Sequence, residues 1–302
     1  MSTELLYNEF ILNRIEVERD ALLSNHSTFK IGGKCALAVF PKNKDELIKA
    51  VSILSAFKIK HRVIGRGSNI LFADRGYDGA LIFTNKTCGI RLLDGNKIYA
   101  DAGASLKSTA NLALKNALSG LEFAHGIPGS VGGAVYMNAG AYGGEIAGVL
   151  KYSDFYNAKT GECGRMEASE HSFSYRHSVF ADNKELIILG SCFELKSADA
   201  TEIKRVMDEN AQKRRDKQPL EYPNAGSTFK RPPNAFAAQM IDECGLKGLS
   251  VGGAQVSEKH AGFVVNKGGA TSADVLTLVE AVKERVAEKF GVTLELEIEY
   301  VE

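Results

Sequence analysis

The sequence predicts an α+β protein in two parts, and three observations carry that reading. Segments with apolar residues at helical spacing are interspersed with short apolar or alternating runs of strand character. Two loops, at 65–69 and 125–145, are dense in glycine, and the first directly follows such a run. The composition then shifts near Ala198, ahead of a strongly charged helical pattern, which places a domain boundary between residues 1–197 and 198–302.

Taken in order, residues 5–23 carry a mixed helical pattern and are expected to form an N-terminal helix packed on the body. Residues 36–40 read as the first strand, and Leu47, Ile48, Val51 and Leu54 recur at helical spacing after Asp45. That helix returns the chain to Arg62-Val63-Ile64, a strand end followed by Gly65-Arg66-Gly67-Ser68-Asn69. Residues 81–83 form a short apolar strand, and Leu93-Asp94-Gly95-Asn96 has hairpin-turn chemistry ahead of the strand 98–102. Residues 105–118 are helical, with Gly120 suited to the C-cap. Residues 152–156 and 186–189 read as strands on either side of a turn at Thr160-Gly161.

In the second part, Ile203, Val206, Met207 and Asn210 define a helix over 201–217 that ends in Lys213-Arg214-Arg215-Asp216-Lys217. Cations complement a helix C-terminus, so this charge has a structural explanation as well as a ligand-binding one. Pro219 and Pro223 enforce extended chain, Gly245 closes a helix over 235–244, and the helix 272–290 buries Val275, Leu278, Val279, Val282 and Val286. The final strand, 292–300, alternates with period two: Leu294, Leu296, Ile298 and Tyr300 share one face, and Glu295, Glu297 and Glu299 the other. A solvated strand face accounts for those carboxylates unless a ligand is shown.

Composition excludes several function classes. Lys+Arg and Asp+Glu both number 37, so the net charge points to neither nucleic acid nor a membrane surface, and an anionic ligand must be held by a local cluster. Cys35, Cys88, Cys163, Cys192 and Cys244 are odd in number and contain no Cys-x-x-Cys pair, which argues against a disulfide framework and against a metal site. They are expected to be small core residues in a reducing cytoplasm. No basic region leads into an apolar core at the N-terminus, and no obligate protein partner is evident.

Closely spaced backbone N–H groups in glycine-rich turns form anion-binding concavities, so the two loops suggest one bound nucleotide, with tight turns between strands as the alternative. Neither loop is a Rossmann fingerprint or a P-loop. Together, however, Gly65-Arg66-Gly67-Ser68-Asn69, Gly126-Ile127-Pro128-Gly129-Ser130-Val131-Gly132-Gly133-Ala134 and Met137-Asn138-Ala139-Gly140-Ala141-Tyr142-Gly143 resemble the UDP-N-acetylenolpyruvoylglucosamine reductase family, in the family's order and in its shorter subtype. The resemblance implies a two-part FAD-binding domain of the vanillyl-alcohol-oxidase (PCMH) type, followed by a smaller α+β substrate-binding domain. It also implies noncovalent FAD, NADPH as co-substrate, and reduction of UDP-N-acetyl-3-O-(1-carboxyvinyl)-glucosamine to UDP-N-acetylmuramate for peptidoglycan. The FAD contacts it implies are Gly65, Arg66, Gly67, Ser68, Asn69, Gly126, Ile127, Pro128, Gly129, Ser130, Gly132, Gly133, Ala134, Asn138 and Gly140. His125 precedes the second loop, and although some flavoproteins tether FAD through histidine, this family does not. Two other readings are an FAD oxidase or dehydrogenase with a different pocket, and a nucleotide-binding module without turnover.

Three positions match the family's catalytic residues. Arg176, in Phe173-Ser174-Tyr175-Arg176-His177-Ser178, offers a guanidinium fork for a carboxylate or enolate oxygen. Ser227, in Asn224-Ala225-Gly226-Ser227-Thr228-Phe229-Lys230, is the expected proton donor, and its surroundings are not a hydrolase elbow. Glu297 is the expected orienting carboxylate, in a sequence where Leu296 stands in place of the family's usual proline. For the substrate, Tyr175 is expected to cap the sugar or phosphates, and Arg214, Lys217, Lys230 and Arg231 to face the diphosphate.

Overall fold

The computed structural model describes residues 3–302, and packing divides them into two compact units. One contains the residues up to Arg19, Ala36–Arg66 and Gly79–Lys213; the other contains Asp20–Cys35, Gly67–Asp78 and Arg214–Glu302. The division therefore does not fall at residue 197. Phe29, Ile31 and Leu71 share a core with Val275, Leu278, Val279 and Val282, which draws two early segments into the C-terminal unit. The helix Ala200–Lys217 runs unbroken through the point where the chain passes from one unit to the other.

Two larger sheets and two hydrophobic cores lie mainly in the first unit. A four-stranded sheet has the order Glu16–Leu22, Lys34–Phe40, Tyr77–Phe83, His61–Ile64, the last two being parallel with His61 opposite Ala80. The helix Lys44–Ala56 links its second strand to His61–Ile64. Asn43 caps this helix by accepting from the Glu46 amide at 2.9 Å, and Leu47, Val51 and Leu54 lie on its buried face against Leu37, Val39 and Ile82. Full burial of each such aliphatic side chain contributes about 1.5–3 kcal/mol. The second sheet is antiparallel, ordered Cys163–Glu167, Leu150–Asn157, Leu186–Glu194, Lys97–Asp101, Ile90–Leu93. The expected hairpin closes it, with Leu93 opposite Lys97 and Gly95 at φ 70°.

Several expectations need correction. The N-terminal helix covers only Thr3–Leu12; Arg14 at φ 57° breaks it, and Glu16–Leu22 forms an edge strand instead. The helix Leu106–Lys115 ends on Asn116 and Ala117 at φ 53°, so Gly120 is not its cap. The turn at Thr160-Gly161 leads into an additional strand, Cys163–Glu167. Of the cysteines, Cys35 and Cys192 are buried, Cys244 is half-buried, and Cys88 and Cys163 are exposed, so only two are core residues.

The second unit is built on the helix Ser272–Phe290. Thr271 and Asp274 form a capping box at its start, and Gly291 closes it at φ 66°. Its first amides also receive Asp74, with Ser272 N to Oδ1 at 2.7 Å and Ala273 N to Oδ2 at 3.0 Å, a carboxylate placed where the helix dipole favours one. The antiparallel strands Ser250–Val251, Ala254–Val256 and Val264–Asn266 belong to this unit, and the helix packs on Ala254, Val256 and Val264. The last strand is shorter than its alternation suggests. It covers Glu299–Val301, parallel to Ile70–Phe72, with an isolated bridge from Leu296 to Phe229. Leu294 and Ile298 are buried, whereas Leu296 and Tyr300 are only half-buried.

Candidate active site

In the first unit the two glycine loops touch. A Cβ on Gly65 would lie 2.2 Å from Ser130 Oγ, and one on Gly132 would lie 2.9 Å from Ala102 Cβ, so these glycines let neighbouring segments approach closely. The Val131 and Gly132 amides are taken by the Ala104 and Ala102 carbonyls at 2.9 and 2.8 Å, and the Ile127 amide by Ala124 at 3.1 Å. Among the described residues, the N–H groups of Arg66, Gly126, Gly129 and Ser130 donate to no protein acceptor. A cluster of open backbone donors on two adjoining loops suits a pyrophosphate.

Arg176 stands at φ 56° in a tight turn in which Ser174 and His177 exchange backbone hydrogen bonds of 3.2 Å. Its Nη2 donates to Gly140 O at 3.2 Å. Asn138, only 1% exposed, donates from Nδ2 to Ser174 O at 3.1 Å and accepts from Ala147 N at 3.0 Å. Its side chain thus joins the glycine stretch to the arginine turn, and the Gly140 carbonyl holds Arg176. Upstream, His171 is fully buried, bonded through Nδ1 to Glu167 O and through Nε2 to Ser153 Oγ, each at 2.9 Å, and stacked on Phe173. Burial lowers its pKa from the ordinary histidine value and favours the neutral ring. Neither His171 nor the anchoring role of Asn138 was read from sequence.

In the second unit, Ser227 and Glu297 lie on adjoining segments. Gly226 turns at φ 81° with its amide on Asn224 Oδ1 at 3.0 Å, which presents Ser227 half-buried. Glu297 N donates to Thr228 O at 2.9 Å and Lys230 N to Glu295 O at 2.8 Å, so the serine is one residue from the point where the carboxylate's backbone is held. Asn69 belongs to this unit too: its Nδ2 donates to Glu297 O and its carbonyl accepts from Glu299 N, both at 2.9 Å. Gly67, at φ 60°, packs so closely that a Cβ would lie 2.3 Å from His26 O.

Residues 218–301 match the family described as UDP-N-acetylenolpyruvoylglucosamine reductase, C-terminal domain, and residues 35–162 match an FAD-binding domain family. The chain is 44% identical to the UDP-N-acetylenolpyruvoylglucosamine reductase of Clostridium novyi over 293 residues, covering 97% of this chain and 94% of that one. It is 46% identical to the Caldicellulosiruptor bescii reductase over 291 residues, 95% and 91% of the two chains. The crystal structure of the reductase from Thermus caldophilus superposes with a TM-score of 0.80 at 35% identity, covering 95% of this chain and all of that one. The chain belongs to the UDP-N-acetylenolpyruvoylglucosamine reductase family. As such it is an FAD-dependent oxidoreductase of peptidoglycan synthesis, with an FAD-binding domain followed by the family's C-terminal domain.

Within this family frame the basic residues separate. Lys230 pairs with the exposed Glu295 at 3.1 Å, which turns Glu295 to the surface and leaves Glu297 as the half-buried carboxylate of the pair. Arg231 lies over the Phe236 ring at 4.5 Å, and Arg214 Nε donates to Gln218 Oε1 at 3.0 Å. Lys217 is exposed at the end of its helix, and its charge and that of Lys247 add to burial in holding the His260 pKa below the ordinary value. Tyr175 is 47% exposed, with the Arg176 guanidinium 5.0 Å from its ring. Among the described residues, no helix is long and apolar enough to cross a membrane and no cluster of ligating side chains could hold a metal.

Proposed function

We propose that the chain catalyses the NADPH-dependent reduction of UDP-N-acetyl-3-O-(1-carboxyvinyl)-glucosamine to UDP-N-acetylmuramate, with Ser227, Arg176 and Glu297 as its catalytic residues. The reading assigns FAD binding to residues 1–197, with Ser68 and Asn69 contributed from a segment packed in the C-terminal unit, and substrate binding to residues 198–302. The observation that supports it most is the backbone bond from Glu297 N to Thr228 O, which brings the segment that carries Glu297 alongside the one that carries Ser227. Bound FAD supplies hydride exchange between NADPH and the enolpyruvyl double bond.

When hydride adds to the terminal carbon, the displaced electron pair develops on the carbon that bears the carboxylate. Arg176 stabilises that charge by engaging an oxygen of the carboxylate or enolate with its planar fork. Ser227 Oγ–H gives its proton to the carbon, and the hydroxyl is restored by a proton from solvent. A serine is a weak acid, but a carbanion is a strong enough base to take its proton. Glu297 orients and polarises the reacting enol. Lys217, Tyr175, Arg214, Lys230 and Arg231 serve the sugar and diphosphate.

Stopped-flow absorbance of the Ser227→Ala variant tests the assignment. Flavin reduction by NADPH stays near the wild-type rate, while reoxidation by the enolpyruvyl nucleotide slows by about 100- to 10,000-fold, the range expected for loss of one positioned proton donor. Equal slowing of both half-reactions would make the serine structural.

A further inference from the structure

We propose that the Asn69 side chain is a positioning residue for Glu297 rather than a flavin ligand; the inference rests on the reading of Glu297 as the reacting carboxylate. The strand Ile70–Phe72 runs parallel to Glu299–Val301, with Glu299 opposite Ile70, and the Glu299 amide donates to Asn69 O at 2.9 Å. In a regular parallel ladder the next rung would run from the backbone N–H of residue 69 to the carbonyl of residue 297. Here that rung is made by the side chain: Asn69 Nδ2 donates to Glu297 O at 2.9 Å, and among the described residues the Asn69 backbone N–H has no protein acceptor.

The exchange has two effects. It frees the Asn69 amide to add to the open donors of the Gly65–Asn69 loop, where the backbone receives an anion. It also holds the backbone of Glu297 on both sides of its Cα, the N–H on Thr228 O and the C=O on Asn69 Nδ2, each at 2.9 Å. The carboxylate therefore takes its position from the serine segment on one side and the flavin loop on the other. A side chain whose donor is aimed at a carbonyl 228 residues away in sequence is engaged before any ligand arrives. Only an amide of this length supplies that donor: Asp would aim a carboxylate oxygen at a carbonyl oxygen, and Ala would leave the rung open.

The test is a double-mutant cycle on the two half-reactions of the holoenzyme, using Asn69→Ala, Glu297→Ala and the double variant. Asn69→Ala slows reoxidation by the enolpyruvyl nucleotide by roughly 100-fold, the cost of a misplaced group, and slows reduction by NADPH by less than about three-fold. In the Glu297→Ala background the same substitution changes reoxidation by less than about three-fold, because the side chain it positions is gone. An equal effect in both backgrounds, or equal slowing of both half-reactions, overturns the proposal while leaving the Glu297 reading intact. Wild-type reoxidation by Glu297→Ala alone overturns the reading itself, and the proposal with it. If Asn69→Ala does not retain flavin, Asn69→Asp, of nearly the same shape, takes its place in the cycle with the same expected split.

Discussion

Arg176 is held in a backbone conformation that L-residues adopt at a cost, at φ 56°, and that cost is offset by the reciprocal Ser174–His177 bonds and by the Gly140 carbonyl beneath the guanidinium. A planar fork placed this way is not replaceable by a point charge on a flexible stem. Arg176→Lys is therefore expected to lower turnover by at least about 100-fold in steady-state assays while keeping the charge; near-normal turnover would reject its role. Ser227, Arg176 and Glu297 stand out in the sequence as candidates because each sits in a local motif. The function of Asn138 was not, since its partner Ser174 lies 36 residues on and nothing in Met137-Asn138-Ala139 announces it. His171 was missed for the same reason: a lone histidine shows its meaning only through Glu167, Ser153 and Phe173.

Among the elements, those with local punctuation were the readable ones. The helix Ser272–Phe290, with Thr271 and Asp274 at one end and Gly291 at the other, was bounded correctly. The edge strand Glu16–Leu22 is not legible as a strand, because Glu16, Glu18, Arg19 and Asp20 leave no apolar alternation to see. Two predictions belong at this scale. Gly67→Ala forces a Cβ against the His26 carbonyl at a positive φ, so a stability loss of about 1–3 kcal/mol and weaker FAD retention are expected, read by thermal unfolding with and without added FAD. His171 has a folded-state pKa below the ordinary 6.5, so its contribution is fully present above pH 6.5 and is lost as pH falls below that value toward the depressed folded pKa. The stability gap between the wild type and His171→Gln should narrow over that acid range, by at most about 1.4 kcal/mol per pH unit in chemical denaturation; a gap independent of pH would contradict the buried neutral ring.

At the scale of the whole molecule, each unit closes around residues far apart in the chain. Composition could mark a change near residue 198 but could not reveal that Phe29, Ile31 and Leu71 pack with the C-terminal helix, because core membership is a long-range property. The glycine loop 65–69 shows the consequence: Gly65 and Arg66 belong to the first unit, and Gly67, Ser68 and Asn69 to the second. FAD is expected to be held without a covalent bond, so the mass of the denatured chain should equal that of the polypeptide, and a flavin-sized increment would point to a tether such as His125. The central claim is tested most directly by anaerobic absorbance of the purified, flavin-loaded protein through one full cycle. NADPH is expected to bleach the flavin band, and stoichiometric UDP-N-acetyl-3-O-(1-carboxyvinyl)-glucosamine to restore it with formation of UDP-N-acetylmuramate, two hydrogens heavier. A bleached protein that the enolpyruvyl nucleotide fails to reoxidise would contradict the account.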